Sequence, residues 1–442
     1  MDAYAPASGS PIVNRRHFLA QTSTALAGSV ALGSLSAERA AHAAGTELLK
    51  VALIGCGKRG AGAVSQALST DGPIKLVAMA DAYSEPLENS LAALKKTKEG
   101  KVEVPQANRF IGLDAYKQAI SQCDVAILTA PPGFRAQHFE EAVRQGKHVF
   151  MEKPVATDAP SVRRIIEIAA EAKKKNLKVG VGLQRHHKPG YIEAVKRIQD
   201  GACGELHTLR CNWLGNARDG LERKPGETEM QYQIRNWYFY TWLSGDHIVE
   251  QHVHNIDVIH WIKGTHPIRA QGMGGRQVRT DKRFGQIFDH HFVEFEFADG
   301  SRCYSQSRQI RGTFTDVSEH VTGTKGSADL INDRAVFAIT GANPWRFQGS
   351  KDDPYQIEHD HLFAAIRQDK PYNEAEYAAH STLMGIMGRM ATYSGKMVEW
   401  DEAYNSKLEL VPPNVTWDTP PPIGPNPDGF YPVAMPGHTV AL

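Results

Sequence analysis

The stretch Val51-Ala52-Leu53-Ile54-Gly55-Cys56-Gly57-Lys58-Arg59-Gly60, followed by Ala61-Gly62-Ala63-Val64, decides how this chain of 442 residues is read. An apolar strand runs into G-x-G-x-x-G and on into the start of a helix. In such a loop the first glycine permits a tight turn and the second lets backbone approach a pyrophosphate. The third lets the helix pack closely, so that its N-terminal N–H groups and dipole face the anion. A glycine turn alone is common. Here a second apolar strand, Leu76-Val77-Ala78-Met79-Ala80, ends in Asp81 about 20 residues beyond the loop, where a carboxylate accepts bonds from ribose hydroxyls. The expected dinucleotide site therefore includes Gly55, Gly57, Lys58, Arg59, Gly60 and Asp81. Asp81 would repel a 2′-phosphate and so favours NAD, while Arg59 could contact such a phosphate and leaves NADP open.

Ahead of the loop lie Asn14-Arg15-Arg16-His17-Phe18-Leu19-Ala20, an apolar run diluted by Ser, Thr and Gly to Leu35, and then Ala41-His42-Ala43. Residues 1–43 have the three-part layout of a twin-arginine export signal with a small-residue cleavage site. The run is too short and too polar for a membrane span. The mature chain would start near Ala44 and be periplasmic or exported. This route carries folded proteins, and free NAD(P) is scarce outside the cytoplasm. With association at about 10⁶ M⁻¹s⁻¹, retention for hours requires a Kd of order 10⁻¹⁰ M. The pairing of signal and loop thus implies a resident nicotinamide, reduced and reoxidised within one protein.

With 41% hydrophobic and 22% charged residues the chain can bury a large core, and its length suggests two domains. A formal net charge of +1 gives no electrostatic reason to expect nucleic acid or lipid as partner. The five cysteines, odd in number and without metal-ligand spacing, read as reduced core or turn residues.

From Glu47 the pattern alternates strand and helix, with strands expected at Leu49–Ile54, Lys75–Ala80, Val125–Thr129, His148–Met151 and Leu177–Val181. Helices are expected at Glu85–Lys96 and Ser161–Lys175. Such alternation predicts a doubly wound parallel sheet over residues 44–181. The loop Ala130-Pro131-Pro132-Gly133 then falls at the carboxyl edge, where ligands of such sheets bind. Beyond residue 182 the texture becomes antiparallel, at His207–Leu214, Phe292–Phe297 and Arg302–Gln309. One helix is expected over Asp246–Lys263, with later ones at His359–Arg367 and Ala375–Tyr393. Residues 182–410 form this second α/β unit, with roles in substrate binding and oligomerisation. Residues 411–442 hold about a third of the 24 prolines and read as an extended arm. Its anchors Trp417, Phe430 and Tyr431 are expected to wrap a neighbouring subunit or the cofactor domain.

Three features carry chemistry. Glu152-Lys153-Pro154 closes a strand at the sheet's carboxyl end, and the proline holds the lysine extended at the rim. Glu250, His254 and Asp257, spaced four and three apart beside an apolar stripe, would share one helix face. An imidazole held by a carboxylate is a natural general base near neutral pH. The aromatics of Arg235-Asn236-Trp237-Tyr238-Phe239-Tyr240-Thr241-Trp242 suit either a core or the C–H faces of a sugar. No metal is expected. Imidazoles two apart on a helix, as His252 and His254 would be, point about 200° apart, so one ion cannot easily take both with Asp289, His290 and His291.

V-A-L-I-G-C-G-K-R-G, E-K-P at 152–154 and H-N-I-D at 254–257 resemble the glucose-fructose oxidoreductase/inositol dehydrogenase/MocA family. The resemblance runs from about Lys50 to about Glu402 and includes Asn373-Glu374-Ala375-Glu376-Tyr377. It implies a Rossmann domain followed by an α/β domain with an open, mostly antiparallel sheet. It implies Lys153 as the active-site lysine, His254 as general acid/base and Asp257 as the H-x-x-D aspartate. Glu250 stands where the dehydrogenases usually carry aspartate. The cofactor set is completed by Ala130, Pro131, His138, Glu152 and Lys153. Arg185, His186, Trp237, Tyr240 and His359 are the substrate-binding candidates. The implied reaction is hydride transfer from a sugar, glycoside or cyclitol carbinol carbon to NAD(P), in a homo-oligomer (dimer or tetramer). Two rival readings stand beside it. One is an NAD-dependent glycosidase or lyase working through a transient 3-keto sugar, with His247, His252, His290 or His291 as an additional base. The other is a non-catalytic NAD-binding sugar sensor.

Overall fold

The computed structural model describes residues 47–442 apart from Asn216. The export signal and its cleavage site lie outside the described residues. Six strands, β1 (Leu49–Ile54), β2 (Ile74–Asp81), β3 (Arg109–Ile111), β4 (Val125–Leu128), β5 (His148–Met151) and β6 (Val179–Val181), form one sheet. Its order is β3-β2-β1-β4-β5-β6, and every pairing within it is parallel. The strand order reverses between β1 and β4, so a crevice opens there at the carboxyl ends, as in other doubly wound folds. Helix α1 (Lys58–Ala67) follows β1 directly. β6 starts two residues later than expected because Leu177 still belongs to a helix end, its N–H donating to Ala172 O. β3 was not foreseen. It has three residues and no buried face to give a pattern.

The second sheet contains β7 (Leu206–Gly215), β8 (Arg269–Gly275), β9 (His290–Glu296), β10 (Arg302–Gln309), β11 (Asp316–Gly323), β12 (Gly326–Ile331), β13 (Val336–Gly341), β14 (Trp345–Arg346) and β15 (Val398–Glu399). Its order is β14-β13-β12-β11-β7-β10-β9-β8-β15. Only β7 and β10 pair in parallel; the other neighbours are antiparallel. β9 alternates buried and half-buried positions, which is the expected texture of a sheet with one covered face.

Helix α2 (Glu229–Arg235) starts with a Thr228/Gln231 capping box. The single helix expected over Asp246–Lys263 is in fact two, α3 (His247–Glu250) and α4 (Val253–Lys263). Asp246 enters with φ +73° and caps His247 N–H with its own carboxylate. The chain then makes a wide turn in which His252 N–H donates to His247 O, an i→i−5 bond. That turn directs the His252 ring to Ser305 Oγ on the sheet (2.7 Å).

Helix α5 (Pro354–Arg367) begins five residues before the expected His359, with Pro354 in its first turn and Asp353 accepting from Tyr355 N–H. Its Leu362, Phe363 and Ile366 join Leu53, Val64, Ile127 and Phe150 in one core. The chain therefore returns to the first sheet after β14, before β15 completes the second, so the division at residue 182 is not linear. Helix α6 (Ala375–Ser394) is buried along nearly its whole length and fills the space beneath β8 and β9. The five cysteines are buried and unbridged, with Cys211 and Cys303 Sγ 3.8 Å apart.

The proline-rich arm has no helix or strand and docks on its own chain. Leu410 and Val411 N–H donate to Asp158, and Gln233 Nε2 to Ile423 O. Tyr431 bonds Glu229, and the Trp417 ring lies 5.5 Å from that of Tyr83 in the first domain.

Candidate active site

A cavity of about 760 Å³ occupies the crevice at the carboxyl ends of β1 and β4. Its floor is the glycine loop. Gly55 has φ +92°, and a Cβ there would lie 2.4 Å from Ala130 N in the loop after β4. A Cβ on Gly60 would lie 2.2 Å from Gly55 O, so the third glycine is what lets α1 sit against the loop. A Cβ on Gly57 would meet nothing within 4 Å. Gly57 is also the N-cap of α1, and no side chain caps that end. Uncapped N–H groups beside open space form an anion seat.

Asp81, at the end of β2, accepts from Cys56 N–H (2.6 Å) and Tyr83 N–H (2.9 Å). It thus braces the glycine loop while also lining the cavity. Burial raises its pKa, against the pull of those amides. Ala130 and Pro131 are held from below by Arg135, which donates to Leu128 O (2.6 Å) and Ala130 O (2.8 Å). His138 lines the same wall, its ring 4.3 Å from that of Tyr116; burial, then the Arg135 charge, hold its pKa down to about 3. Arg59 pairs with Glu152 and with Glu358 (3.2 Å) and lies 4.9 Å over the Tyr355 ring. Those contacts occupy the guanidinium that a 2′-phosphate would need. Lys58 lines the cavity without a carboxylate partner among the described residues. The uncapped helix end, the space at Gly57, Lys58 and the Asp81 carboxylate fit a nicotinamide dinucleotide.

The other wall holds the ionisable groups. Lys153 follows β5, and its bond to Pro154 is cis. Its ammonium donates to the main-chain oxygen of Glu250 (2.6 Å) and to Glu250 Oε1 (3.3 Å). Glu250 Oε2 is buried without a partner. His254, the second residue of α4, lines the cavity with Nδ1 unpartnered, its ring 5.9 Å from that of Trp213. Burial first, then the Lys153 and Arg185 charges, push the His254 pKa well below its ordinary value. It is therefore a neutral imidazole at physiological pH.

Asp257 does not orient that imidazole. Its carboxylate bonds His186 Nε2 (2.9 Å) and Ser381 Oγ (2.8 Å), away from the cavity. Because the helix breaks after Glu250, the shared face inferred from spacing does not exist there, and Glu250 pairs with Lys153 instead of His254. Among the substrate candidates Trp237 lines the cavity. Arg185, His186, Tyr240 and His359 do not. Arg185 is buried against Glu319 and donates to His254 O (3.1 Å), anchoring the turn that carries the histidine. His186 stacks 4.2 Å from Trp261, Tyr240 packs on Tyr431, and His359 lies 4.1 Å from Phe150 inside the core. The additional-base candidates His247, His252, His290 and His291 also lie outside the cavity lining.

Sequence reasoning missed Arg218, Gln251 and Tyr355, all of which line the cavity. Gln251 sits in the helix break and has no motif of its own. Arg218 and Tyr355 arrive from irregular chain and from the start of α5.

Asp246, His247 and His291 present ligand-type atoms within 4.8 Å of one another, a cluster that spacing did not bring out. Asp246 already accepts from His247 N–H, Phe288 N–H (3.0 Å) and the Tyr393 hydroxyl, with His291 Nε2 at 3.4 Å. The Arg279 charge acts on both Asp246 and His247, and Arg389 donates to Gly245 O (3.0 Å). A carboxylate so occupied, beside two guanidinium groups, suits a hydrogen-bonded hub better than a dication.

Two family models match the chain. One, an oxidoreductase family with an NAD-binding Rossmann fold, matches residues 49–183; the other, a GFO/IDH/MocA C-terminal domain, matches residues 191–329. An inositol 2-dehydrogenase of Rhizobium meliloti is 26% identical over 291 residues, covering 65% of this chain and 77% of the relative. An aldose-aldose oxidoreductase from Caulobacter crescentus, solved with glycerol, superposes with a TM-score of 0.63 at 18% identity, over 80% of this chain and 100% of that one. A levoglucosan dehydrogenase, solved with NADH and levoglucosan, gives 0.62 at 16% identity, over 80% and 99%.

Proposed function

This chain belongs to the GFO/IDH/MocA oxidoreductase family, and on that footing we propose that it oxidises a secondary alcohol of a sugar, glycoside or cyclitol. The observation that carries the reading is the ammonium of Lys153, fixed on Glu250, beside the neutral imidazole of His254 in a cavity floored by the glycine loop. NAD, when bound, supplies the hydride acceptor.

The chain's own residues do the rest. Lys153 presents N–H donors to a hydroxyl and stabilises the alkoxide that develops as hydrogen leaves carbon. His254, unprotonated because it is buried, takes the hydroxyl proton. Glu250 holds the ammonium at the rim through their ion pair. Arg185, through His254 O, fixes the turn on which the imidazole stands. Trp237 offers an aromatic face to the ring C–H groups of a sugar.

The export layout of residues 1–43 supports a periplasmic or exported location and, with it, a nicotinamide retained and recycled in place. The docked arm supports slow dissociation, because Trp417 covers Tyr83 and Tyr83 lines the cavity. Homo-oligomerisation is part of the same proposal and rests on the family. None of the four histidines considered as an additional base for the glycosidase or lyase reading lines the cavity. The test is incubation of purified protein with sugars, glycosides and cyclitols, with products analysed by mass spectrometry. Keto or acid products support oxidation; release of an aglycone with no net oxidation supports the glycosidase reading instead.

A further inference from the structure

Most cations around the cavity are spent on partners: Arg135 donates to the main-chain oxygens of Leu128 and Ala130, and others pair with carboxylates. Lys153 pairs with Glu250, Arg59 with Glu152 and Glu358, and Arg235 with Glu227 through two bonds (2.6 and 2.7 Å). Lys58 stands at the glycine loop, on the side suited to a pyrophosphate. Arg218 lines the cavity and has no carboxylate partner among the described residues.

Arg218 is exposed at the cavity rim, and an aromatic ring holds its head. Its guanidinium lies 4.5 Å over the ring of Tyr238, whose hydroxyl accepts from Gln309 Nε2 (2.7 Å). The backbone on its C-terminal side is tied down. Asp219 pairs with Arg311, and Leu221 N–H donates to Asn236 Oδ1 (2.9 Å). Gly220 passes so close to Arg283 that a Cβ would lie 2.2 Å from its carbonyl oxygen. Arg218 lines the same cavity as Lys153, Gln251 and His254.

We propose that Arg218 receives a carboxylate of the substrate, so that the sugar oxidised is a uronic acid or uronoside. This rests on the oxidoreductase reading given above. A planar guanidinium held flat on an aromatic ring keeps its N–H edge free for two parallel bonds to a carboxylate. One unpaired cation balances a monoanion; a phosphate dianion would call for a second.

The test is steady-state oxidation of glucuronate and galacturonate against glucose, galactose and their 6-phosphates, with the holoenzyme and its Arg218→Gln and Arg218→Lys variants. The uronate is expected to be preferred over its matching aldose. Arg218→Gln is expected to raise KM for the uronate by about ten- to a hundredfold with kcat little changed, and Arg218→Lys to restore part of it. Equal use of aldose and uronate, preference for the phosphate, or an equal loss on aldose and uronate in Arg218→Gln overturns the proposal and leaves sugar oxidation standing. If no sugar is oxidised, uronate binding by calorimetry decides. Binding that Arg218→Gln abolishes keeps the anion site while the oxidation reading fails; no binding overturns both.

Discussion

The ammonium of Lys153 meets Glu250 twice, at the main-chain oxygen (2.6 Å) and at the carboxylate (3.3 Å), across 97 residues of sequence. The first contact depends only on backbone and fixes position; the second depends on charge. Glu250→Gln should therefore leave Lys153 in place but weaken its hold, whereas Lys153→Ala removes the group itself. We expect Lys153→Ala and His254→Ala each to lower kcat by about 10²–10⁴ with cofactor content unchanged. Denaturation and chromatography of bound nucleotide, beside turnover, check both halves. Near-normal turnover in either variant removes that residue from the reaction.

The state of His254 sets the pH profile. Burial depresses its pKa below the ordinary 6.5, so the neutral, proton-accepting form is present above the depressed value and lost only as pH falls through it. The acid limb of kcat/KM, which reports the free enzyme, should be centred below 6.5. A limb centred at or above that value contradicts the assignment.

Acid should also unfold the protein through its buried histidines. His138 and His260 are held down to about 3 and about 4, in each case first by burial, and burial holds His359 well below its ordinary value. Their folded values lie below the unfolded 6.5, so the stability they contribute is present above 6.5 and is lost as pH falls from there. His359 has both ring nitrogens unpartnered against Phe150. His359→Leu should lessen the loss on acidification by about 1.4 kcal/mol per pH unit. Parallel urea-denaturation curves against pH for wild type and variant would show that the histidine is protonated in the folded state.

Much of this was legible in the chain, and the failures share a physical cause. β1, β5 and β10 fall at the expected residues because each is an uninterrupted strand with a regular pattern of burial. Glycine loop, Asp81 and Lys153 converge because the topology of a doubly wound sheet brings strand ends together, and α4 carries His254 to them. The helix break was not legible. It depends on Asp246 adopting positive φ and on His252 finding Ser305, a contact spanning 53 residues. The role expected for Asp257 failed for the same reason, since its partners His186 and Ser381 come from distant segments. Arg185, His186 and His359 were expected in the pocket because the family resemblance puts substrate-lining residues near them. Here Arg185 and His359 are buried and His186 half-buried, each by an ion pair or a ring contact that no local pattern signals.

Asp81 should set nucleotide choice. Wild type is expected to bind NADH more tightly than NADPH, because a carboxylate repels a 2′-phosphate. Asp81→Ala should weaken NADH binding and narrow the ratio, and it should loosen the glycine loop by freeing Cys56 N–H. Fluorescence titration of cofactor-stripped protein measures both. A wild type that prefers NADPH would assign the phosphate to a group other than Arg59.

Removing the arm should speed loss of nucleotide. Truncation before Val411 deletes Trp417 from Tyr83 and Tyr431 from Glu229. Dialysis followed by nucleotide analysis is expected to show faster depletion than in the full chain. Equal retention would confine tight binding to the glycine-loop domain.

The central claim is that hydride passes from a sugar or cyclitol carbon to a nicotinamide under the control of Lys153 and His254. Its most direct test is a single turnover of the purified holoenzyme with substrates deuterated at the carbinol carbons. Mass analysis of the released nicotinamide should show deuterium in wild type and almost none in Lys153→Ala. Product formation by wild type with an unlabelled nicotinamide would contradict it.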